Sequence, residues 1–433
     1  MMSQSDFNAG LLAFLSRATT PFHAVQAISE QLEAAGFLPL KDDQQPPGPG
    51  GQGVYLRHGG SIIALRPGRG KLLESGLRMV GAHTDSPCLM LKPKPETQAA
   101  GYLQLGVEVY GGALLNPWFD RDLSLAGRVS YLAADGTVAT ALVDFREPIA
   151  VIPSLAIHLD REANSNRSVN AQTEMAPLLG LEDKDFSLRD TLLAQLRDQT
   201  PEATEVLDFE LCFYDTQPPA AVGLRKEFIA AARLDNLLSC YTGLQALLAA
   251  DGSEWALLVC NDHEEVGSLS AAGAQGPMLR NFLQGLLDRP VGLPQLMQRS
   301  MMISADNAHG VHPNFKDKHD ANHGPMLNAG PVIKVNASQR YASSSDGAAL
   351  FRVLAREAGV EVQSFAMRAD MACGSTIGPI TAGELGVTTL DIGVPTFAMH
   401  SVRELAGSDD AWALKRVLDV YFRRPAPLFG NAG

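Results

Sequence analysis

The sequence predicts an α/β domain, with a mixed sheet, that is interrupted by a β-rich insert. In both outer parts of the chain, short apolar runs of strand length alternate with helical patterns. In the middle part, apolar and polar residues alternate over 102–109 and 127–133, which is typical of half-exposed strands. Asp135-Gly136 follows the second run and indicates a hairpin turn. We therefore predict two domains, one formed by 1–97 with 226–433 and one formed by 98–225.

The first part of the chain illustrates the helix and strand patterns. Residues 8–36 show helical spacing of apolar residues, with a break near Pro21. A polar loop rich in proline and glycine is expected at 41–53. The strands expected after it are Val54–Leu56, Ser61–Leu65 and Leu77–Ala82.

Composition and charge exclude several classes of protein. Of the 433 residues, 45% are hydrophobic and 19% are charged, which suits a folded chain with a large core rather than a disordered or fibrous one. The formal net charge of −13 and the lack of a basic stripe argue against a nucleic-acid partner. Apolar runs stay shorter than the roughly 18 residues of a membrane helix, so we expect no membrane partner.

The cysteines and the first residues predict where the protein resides. The five cysteines are scattered and form no CxxC pair, so a disulfide framework is not expected and a reducing compartment suits them. Residues 1–20 lack the basic segment of a signal peptide. We therefore expect a soluble, cytoplasmic protein.

Four apolar runs end in residues of the types that bind metals. His83 and Asp85 follow the first run, Glu264-Glu265 the second and Asp306 the third, and a fourth run from Leu390 leads to His400. In open α/β sheets, sites form beyond the carboxyl ends of the strands. Any one of these residues could be an ordinary loop residue, but together they predict a metal site at one sheet edge.

Three further features belong to this prediction. Asp235 precedes an amphipathic helix, so it could be an N-cap, a carboxylate that bridges two cations, or both. In His83-x-Asp85, the aspartate could hold the imidazole in the tautomer that binds metal. Of Glu264 and Glu265, one could bind metal while the other faces the water that the metal activates; two solvated loop glutamates are the alternative.

With these residues in place, the sequence resembles the aspartyl aminopeptidase family, a group of dinuclear zinc exopeptidases. The resemblance covers essentially the whole chain. It is carried by AHTDSP (82–87), LAIHLDR (155–161), ARLDNL (232–237), NDHEEVGS (261–268), SADNAHGVHPN (304–314) and the stretch from DMACGSTIGPI to AMHSVRE (370–404). It implies a mixed-sheet zinc-exopeptidase domain and a β-rich domain for oligomerisation, with cleavage of acidic residues (Asp, Glu) from the N-terminus of peptides.

The resemblance also implies roles for the site residues. His83 and Asp306 match the ligands of one zinc ion, Glu265 and His400 match those of the other, and Asp235 matches the bridge. Each zinc ion then has three protein ligands, as in catalytic sites, although cobalt or manganese are possible substitutes. Glu264 matches the general base that deprotonates the zinc-activated water.

Two more residues and the assembly follow from the resemblance. His158 matches a histidine that enters a neighbouring subunit's site and stabilises the tetrahedral intermediate; a metal ligand and a core histidine are the alternatives. Lys334 matches the position that pairs with the acidic substrate side chain; a solvated lysine is the alternative. The family forms homododecamers, so a homo-oligomer of twelve subunits is expected.

Two other functions remain open at this point. A different dinuclear zinc hydrolase, such as a carboxypeptidase or a deacylase, could share the ligand set. A metal-bound scaffold without turnover could also share it, although the presence of Glu264 beside the ligands favours an enzyme.

Overall fold

The computed structural model describes residues 2–41, 44–197, 199–287, 289 and 292–430. The chain forms two compact units. The first unit comprises residues 1–85, 219–399 and 404–433, and the second comprises residues 86–218 and 400–403.

The sequence analysis placed the domain boundaries at 97/98 and 225/226, whereas the units divide at 85/86 and 218/219. A strand runs from Cys88 to Ala99 within the second unit, so a boundary at 97/98 would cut it. The role of the second unit in oligomerisation stays a prediction.

The first unit contains a mixed nine-stranded sheet. In spatial order its strands are β1 (Leu38–Pro39), β2 (Val54–His58), β3 (Ser61–Arg66), β13 (Trp255–Asn261), β4 (Leu77–His83), β14 (Met301–Ala305), β18 (Thr388–Gly393), β16 (Val332–Val335) and β17 (Gln363–Ala366). Strands β13, β4, β14 and β18 run parallel at its centre. A second sheet has the order β11 (Ala220–Val222), β12 (Phe228–Ala231), β20 (Glu404–Gly407), β19 (Pro395–Phe397) and β15 (Ala308–His309).

Helices cover both faces of the nine-stranded sheet. Those of the first unit are α1 (Gln4–Arg17), α2 (Pro21–Ala34), α3 (Leu72–Ser75), α6 (Leu234–Ala249), α7 (Met278–Gly285), α8 (Leu293–Gln298), α9 (Ser345–Ala358), α10 (Ile377–Leu385) and α11 (Asp410–Phe422), with 3₁₀ turns at Glu264–Val266 and Lys316–Lys318. Leu258 packs in one apolar cluster and its neighbour Leu257 in another. The central strands are therefore buried on both sides, which explains why their sequences are continuously apolar.

The predicted helix over 8–36 is two helices. The break lies where it was expected, because Pro21 is the first residue of α2 and the Thr20 hydroxyl accepts a hydrogen bond from the backbone N–H of His23. Within the predicted loop 41–53, residues 42 and 43 lie outside the described residues, and the others form no helix or strand.

The second unit contains a six-stranded antiparallel sheet. Its spatial order is β8 (Val138–Asp144), β7 (Leu123–Ala133), β10 (Ala203–Asp215), β5 (Cys88–Ala99), β6 (Tyr102–Tyr110) and β9 (Leu178–Leu181), with α4 (Ala171–Glu174), α5 (Leu188–Leu196) and a 3₁₀ turn at Asn116–Trp118. The predicted hairpin at Asp135-Gly136 is confirmed, because it joins β7 to β8. The unit has its own apolar core, which includes Leu125, Leu192 and Leu211.

The run that was predicted to lead from Leu390 to His400 is not one strand. It is β18 in the nine-stranded sheet followed by β19 in the five-stranded sheet. The chain changes sheet directly after Gly393, which lies so close to a neighbouring loop that a Cβ atom there would be 2.2 Å from the Asp306 carbonyl oxygen. Among the helices that the structure describes, none combines the length and the apolar character needed to cross a bilayer.

Candidate metal centre

Three of the four predicted runs end at one edge of the nine-stranded sheet. Strand β4 pairs in parallel with β13, so that His83 lies opposite Asn261. Strand β14 pairs in parallel with the other side of β4, and Asp306 directly follows its end. Because the carboxyl ends of parallel strands meet at the same edge, residues far apart in sequence come together there.

His83 lies at the centre of this group and is buried. Its Nδ1 atom is 3.0 Å from the backbone oxygen of Asp85. Its Nε2 atom is 3.5 Å from Oδ1 of Asp235 and 3.7 Å from Oδ1 of Asp306. A carbonyl oxygen only accepts hydrogen bonds, so Nδ1 carries the hydrogen, and the Nε2 lone pair of the neutral ring faces the carboxylates.

The charges around His83 shift its protonation. Burial alone would lower the pKa of His83, but hydrogen bonds to Asp235, Asp306 and Asp85 outweigh burial and raise the pKa well above its ordinary value. The protonated ring is thus stabilised by surrounding carboxylates. A divalent cation would supply the same positive charge, and it would displace the proton from Nε2.

Asp85 holds the two glutamates as well as His83. Its Oδ1 accepts the backbone N–H of Glu264 at 3.1 Å, and its Oδ2 accepts that of Glu265 at 3.0 Å. The aspartate is buried. The sequence analysis assigned it only the orientation of His83; the glutamate contacts span about 180 residues of sequence and have no local pattern.

Asp235 lies directly before the regular part of α6. Its φ and ψ of −84° and 103° are extended, and Asn236 is also non-helical. The Asp235 N–H donates to Oε2 of Glu404 at 2.8 Å, and the Asn236 side chain donates to the carbonyl of Ala305 at 2.8 Å. Buried Glu404 thus anchors the backbone that carries Asp235. The sequence analysis gave Glu404 no role, because a single glutamate in the motif has no distinguishing spacing.

Asp306 shares its carboxylate between two positively charged neighbours. Oδ1 faces Nε2 of His83, while Oδ2 accepts a hydrogen bond from Nζ of Lys334 at 3.2 Å. Burial alone would raise the pKa of Asp306, but Lys334 and His83 hold it well below its usual range. Lys334 itself is 2% exposed, so it is not the solvated lysine that was considered as an alternative.

The donor set fits a metal ion of the zinc type. One ligand atom each from His83, Asp235 and Glu265 lie within 4.8 Å of one another. An imidazole with carboxylates is a common zinc ligand set. Zn–N and Zn–O bonds of about 2 Å place two ligands of one ion at most about 4 Å apart, and Nε2 of His83 and Oδ1 of Asp235 are 3.5 Å apart. These three residues could hold metal, and so could Asp306, whose Oδ1 faces the same Nε2 atom of His83 as Asp235 does.

The two glutamates have raised pKa values, because of burial and because several carboxylates lie close together here. Burial raises the pKa of Glu264 to about 8, with Asp306, Asp235 and Asp85 adding to the shift and His83 opposing it. Burial, followed by the charge of Asp235, raises the pKa of Glu265 to about 10. Such strongly perturbed neighbouring acids are typical of functional sites, because a structural role seldom compensates for their desolvation.

The other two predicted histidines lie in the second unit. His400 is half-buried, has a left-handed φ of 68°, and has its Nδ1 3.2 Å from the carbonyl oxygen of Gly112. Its Nδ1 therefore also carries hydrogen and leaves Nε2 as the atom with a lone pair. His158 is exposed within a turn in which the N–H of Leu159 donates to the Ala156 carbonyl, so the core-histidine alternative is wrong.

Comparison with known proteins agrees with this geometry. The family described as aminopeptidase I zinc metalloprotease (M18) matches residues 14–422. The chain belongs to the M18 family. Its resemblance to aminopeptidases and its α/β fold are thereby confirmed, and it is a zinc aminopeptidase, a hydrolase of peptide bonds.

Individual M18 proteins are similar over nearly their whole length. A probable M18 family aminopeptidase 2 of Pseudomonas putida (strain GB-1) is 59% identical over 420 residues, which cover 96% of this chain and 98% of the relative. Ape4, solved in a complex with Nbr1, has a TM-score of 0.93 and 37% identity, covering 97% of this chain and 86% of that chain. The mApe1 dodecamer of S. cerevisiae has a TM-score of 0.84 and 28% identity, with 97% of each chain covered.

Proposed function

We propose that this M18 aminopeptidase removes N-terminal aspartate and glutamate from peptides, with Glu264 as the general base. The observation that carries the proposal is the position of Glu264. Its backbone N–H is bound by Asp85, which also contacts His83, and its half-buried side chain interacts electrostatically with His83, Asp306 and Asp235. A carboxylate beside a metal ligand set, but with a neighbouring glutamate to act as ligand, is suited to proton transfer.

We further propose two zinc ions per subunit. His83 and Asp306 would hold one ion, Glu265 and His400 the other, and Asp235 both. The short separations among His83, Asp235, Asp306 and Glu265 support this assignment, as does the hydrogen on Nδ1 of His400. Bound zinc supplies an acidified water and polarises the peptide carbonyl.

Glu264 would accept the proton of the attacking water and return it to the departing amine. Its role requires an ionised carboxylate near neutral pH. Without metal, burial places the pKa of Glu264 at about 8, and the positive charge of bound cations favours the ionised form. Each backbone N–H of the two glutamates donates to a different oxygen of the Asp85 carboxylate. Asp85 would thereby position Glu264 as the base and Glu265 as the metal ligand.

We also propose that the active form is a homododecamer in which His158 enters the site of a neighbouring subunit. The mApe1 dodecamer is the structural precedent. Support within this chain comes from the His158 segment, residues 153–163, in which Leu155, Ile157 and Leu159 are 58%, 47% and 75% exposed. Apolar side chains grouped on one exposed segment are typical of a protein interface.

The acidic preference would depend on Lys334. The lysine is a buried cation on β16 and lies directly beside Asp306, so its charge is little screened by solvent. A substrate carboxylate that reached it would add a second negative partner to the ammonium, whereas a neutral side chain would not.

The base is tested with Glu264→Gln, which has the same shape but cannot accept a proton. We expect kcat to fall by about 10²- to 10⁴-fold while zinc content stays that of the wild type. Metal analysis and steady-state kinetics on the same preparation measure both. Glu265→Gln is the matched control, and it should lose zinc as well as rate. A metal-replete Glu264→Gln enzyme with near wild-type kcat would refute the role.

The specificity is tested with anilides of Asp, Glu, Asn and Leu. We expect kcat/KM for Asp and Glu to exceed that for Asn, and Lys334→Met to reduce the Asp value by about 30-fold or more, since a desolvated charge pair contributes roughly 2 kcal/mol or more. Equal kcat/KM values for Asp and Asn in the wild-type enzyme would exclude an acidic preference.

A further inference from the structure

The ammonium of Lys334 contacts the site through Asp306. Nζ donates to Oδ2 of Asp306 and to the backbone oxygen of Asn307, both at 3.2 Å, and it lies 4.9 Å from the centre of the Tyr341 ring. An ammonium has three N–H groups. Within the described part of the chain, two oxygen acceptors are found for these three groups.

The same carboxylate is therefore shared by a lysine and a metal site. Oδ2 of Asp306 is used by Lys334, which leaves Oδ1, on the side of His83, as the oxygen for a cation. A buried positive charge at 3.2 Å reduces the negative potential that Asp306 offers to that cation. Lys334 thus lowers the affinity of Asp306 for a metal ion as long as the ammonium charge of Lys334 has no other negative partner.

Lys334 is also held in place. It lies on β16, between β17 and β18, and Tyr341 covers it. The residue after Tyr341 is fixed in turn, because the N–H of Ala342 donates to Oδ2 of Asp391 at 2.6 Å. These contacts hold the lysine beside Asp306, so a change in its electrostatic partners acts on Asp306 directly.

We propose that Lys334 couples recognition of an acidic side chain to retention of the cation held by Asp306. The inference rests on the proposed acidic specificity. When the substrate carboxylate accepts the third N–H of Lys334, it neutralises the lysine, and Asp306 offers more of its charge to the metal. By reciprocity, a bound cation strengthens the binding of the acidic side chain by the same factor.

The test uses the holoenzyme and two free amino acids as probes. L-Aspartate and L-asparagine have the same shape and the same α-amino and α-carboxylate groups, and they differ in the charge of the side chain. The zinc affinity of the protein is measured at buffered free zinc, by competition with a chelator, with each amino acid at saturation. We expect aspartate to tighten zinc retention about 5-fold or more relative to asparagine, the lower limit of typical coupling between sites.

The matched variant is Lys334→Met, with exposed Lys316→Met as the control. In Lys334→Met, the two amino acids should have equal effects on zinc retention, whereas Lys316→Met should behave as the wild type. If Lys334→Met does not fold or does not hold zinc, the wild-type comparison of aspartate with asparagine decides alone.

Two results would overturn the coupling, and each says something different about the proposed function. Equal zinc retention with aspartate and asparagine, in an enzyme that prefers Asp over Asn anilides, would refute the coupling and leave the specificity intact. Equal retention in an enzyme without an acidic preference would refute both. A difference that persists in Lys334→Met would also refute the coupling, because another residue would then transmit it.

Discussion

The residues around His83 and those around His158 differ in which side chains are buried and which are exposed. The first group places His83, Asp85, Asp235, Glu265 and Asp306 in contact within the protein, with most of their surface inaccessible to solvent. The second group leaves three large apolar side chains of the His158 segment in water. Either arrangement is costly for an isolated chain, by desolvation of charge in the first case and by exposed apolar surface in the second.

The difference indicates what each region binds. Buried carboxylates are stabilised by a small concentrated positive charge, which is a cation, and the donor set around His83 has the composition for zinc. Exposed leucine and isoleucine are stabilised by an apolar protein surface. We therefore expect the first region to bind a metal ion and the second to bind another subunit. Each prediction can be tested separately.

Of the variants that test this comparison, Asp85→Ala is expected to have the largest effect on zinc affinity. The variant loses the acceptor of both glutamate N–H groups and the carboxylate 3.4 Å from Nδ1 of His83, although it retains the backbone oxygen that Nδ1 contacts. We therefore expect zinc affinity to fall by about 10- to 100-fold and kcat/KM with it. Zinc titration and steady-state kinetics measure the two losses. Asp85→Asn retains one acceptor oxygen and should be intermediate. Wild-type zinc affinity in Asp85→Ala would show that the ligands are held by other contacts.

An effect of intermediate size is expected from Leu159→Lys. A charge on the most exposed apolar residue of the His158 segment should dissociate the oligomer and lower activity by about 10-fold or more, while the zinc content of the subunits stays unchanged. Light scattering after size exclusion gives the mass. Leu181→Lys, at a position that is 76% exposed, is the control and should remain assembled. An intact, fully active Leu159→Lys oligomer would show that the His158 segment is not needed for assembly.

A third test leaves both regions intact and concerns a buried acid outside the cluster. Burial raises the pKa of Asp410 to about 7, although the N–H groups of Asn328 and Gly330 that it accepts oppose the shift. In the unfolded chain this pKa is about 3.9. The folded state thus binds the proton more tightly, and the stability from protonated Asp410 is present below about pH 4 and lost as the pH rises through about 7.

Asp410→Asn isolates this contribution because its side chain does not titrate. The free energy of unfolding of the wild type, relative to the variant, should fall by about 1.4 kcal/mol per pH unit between roughly pH 4 and 7 and then level off. Thermal midpoints of both proteins at pH 5, 6, 7 and 8 follow the trend. A constant difference in midpoint across this range would show that Asp410 stays ionised when folded, held by its two N–H donors.

Local patterns were sufficient for much of the fold. The break at Pro21, the hairpin at Asp135-Gly136 and the strands leading to His83 and Asp306 lie where spacing and turn residues predict them. The apolar run from Leu390 to His400 contains two strands, and such a run does not reveal that the chain changes sheet after Gly393.

The site was predictable in its ligand types and incompletely so in its supporting contacts. Glu404 and the second role of Asp85 were missed, since both depend on backbone N–H groups of residues distant in sequence. Lys334 was assigned from family resemblance to a substrate contact, and its contact with Asp306 depends on β16 and β18 being neighbours in the sheet.

The sequence by itself determined which residue types follow each buried strand. A buried strand is recognised from a short apolar run, and the possible ligands are the residues that come directly after it. Only the tertiary structure decided which atoms share a partner: that one aspartate holds two glutamates, and that one carboxylate lies between an imidazole and an ammonium. The physical reason is that hydrogen bonds and charge act over a few ångströms of space, whatever the separation along the chain.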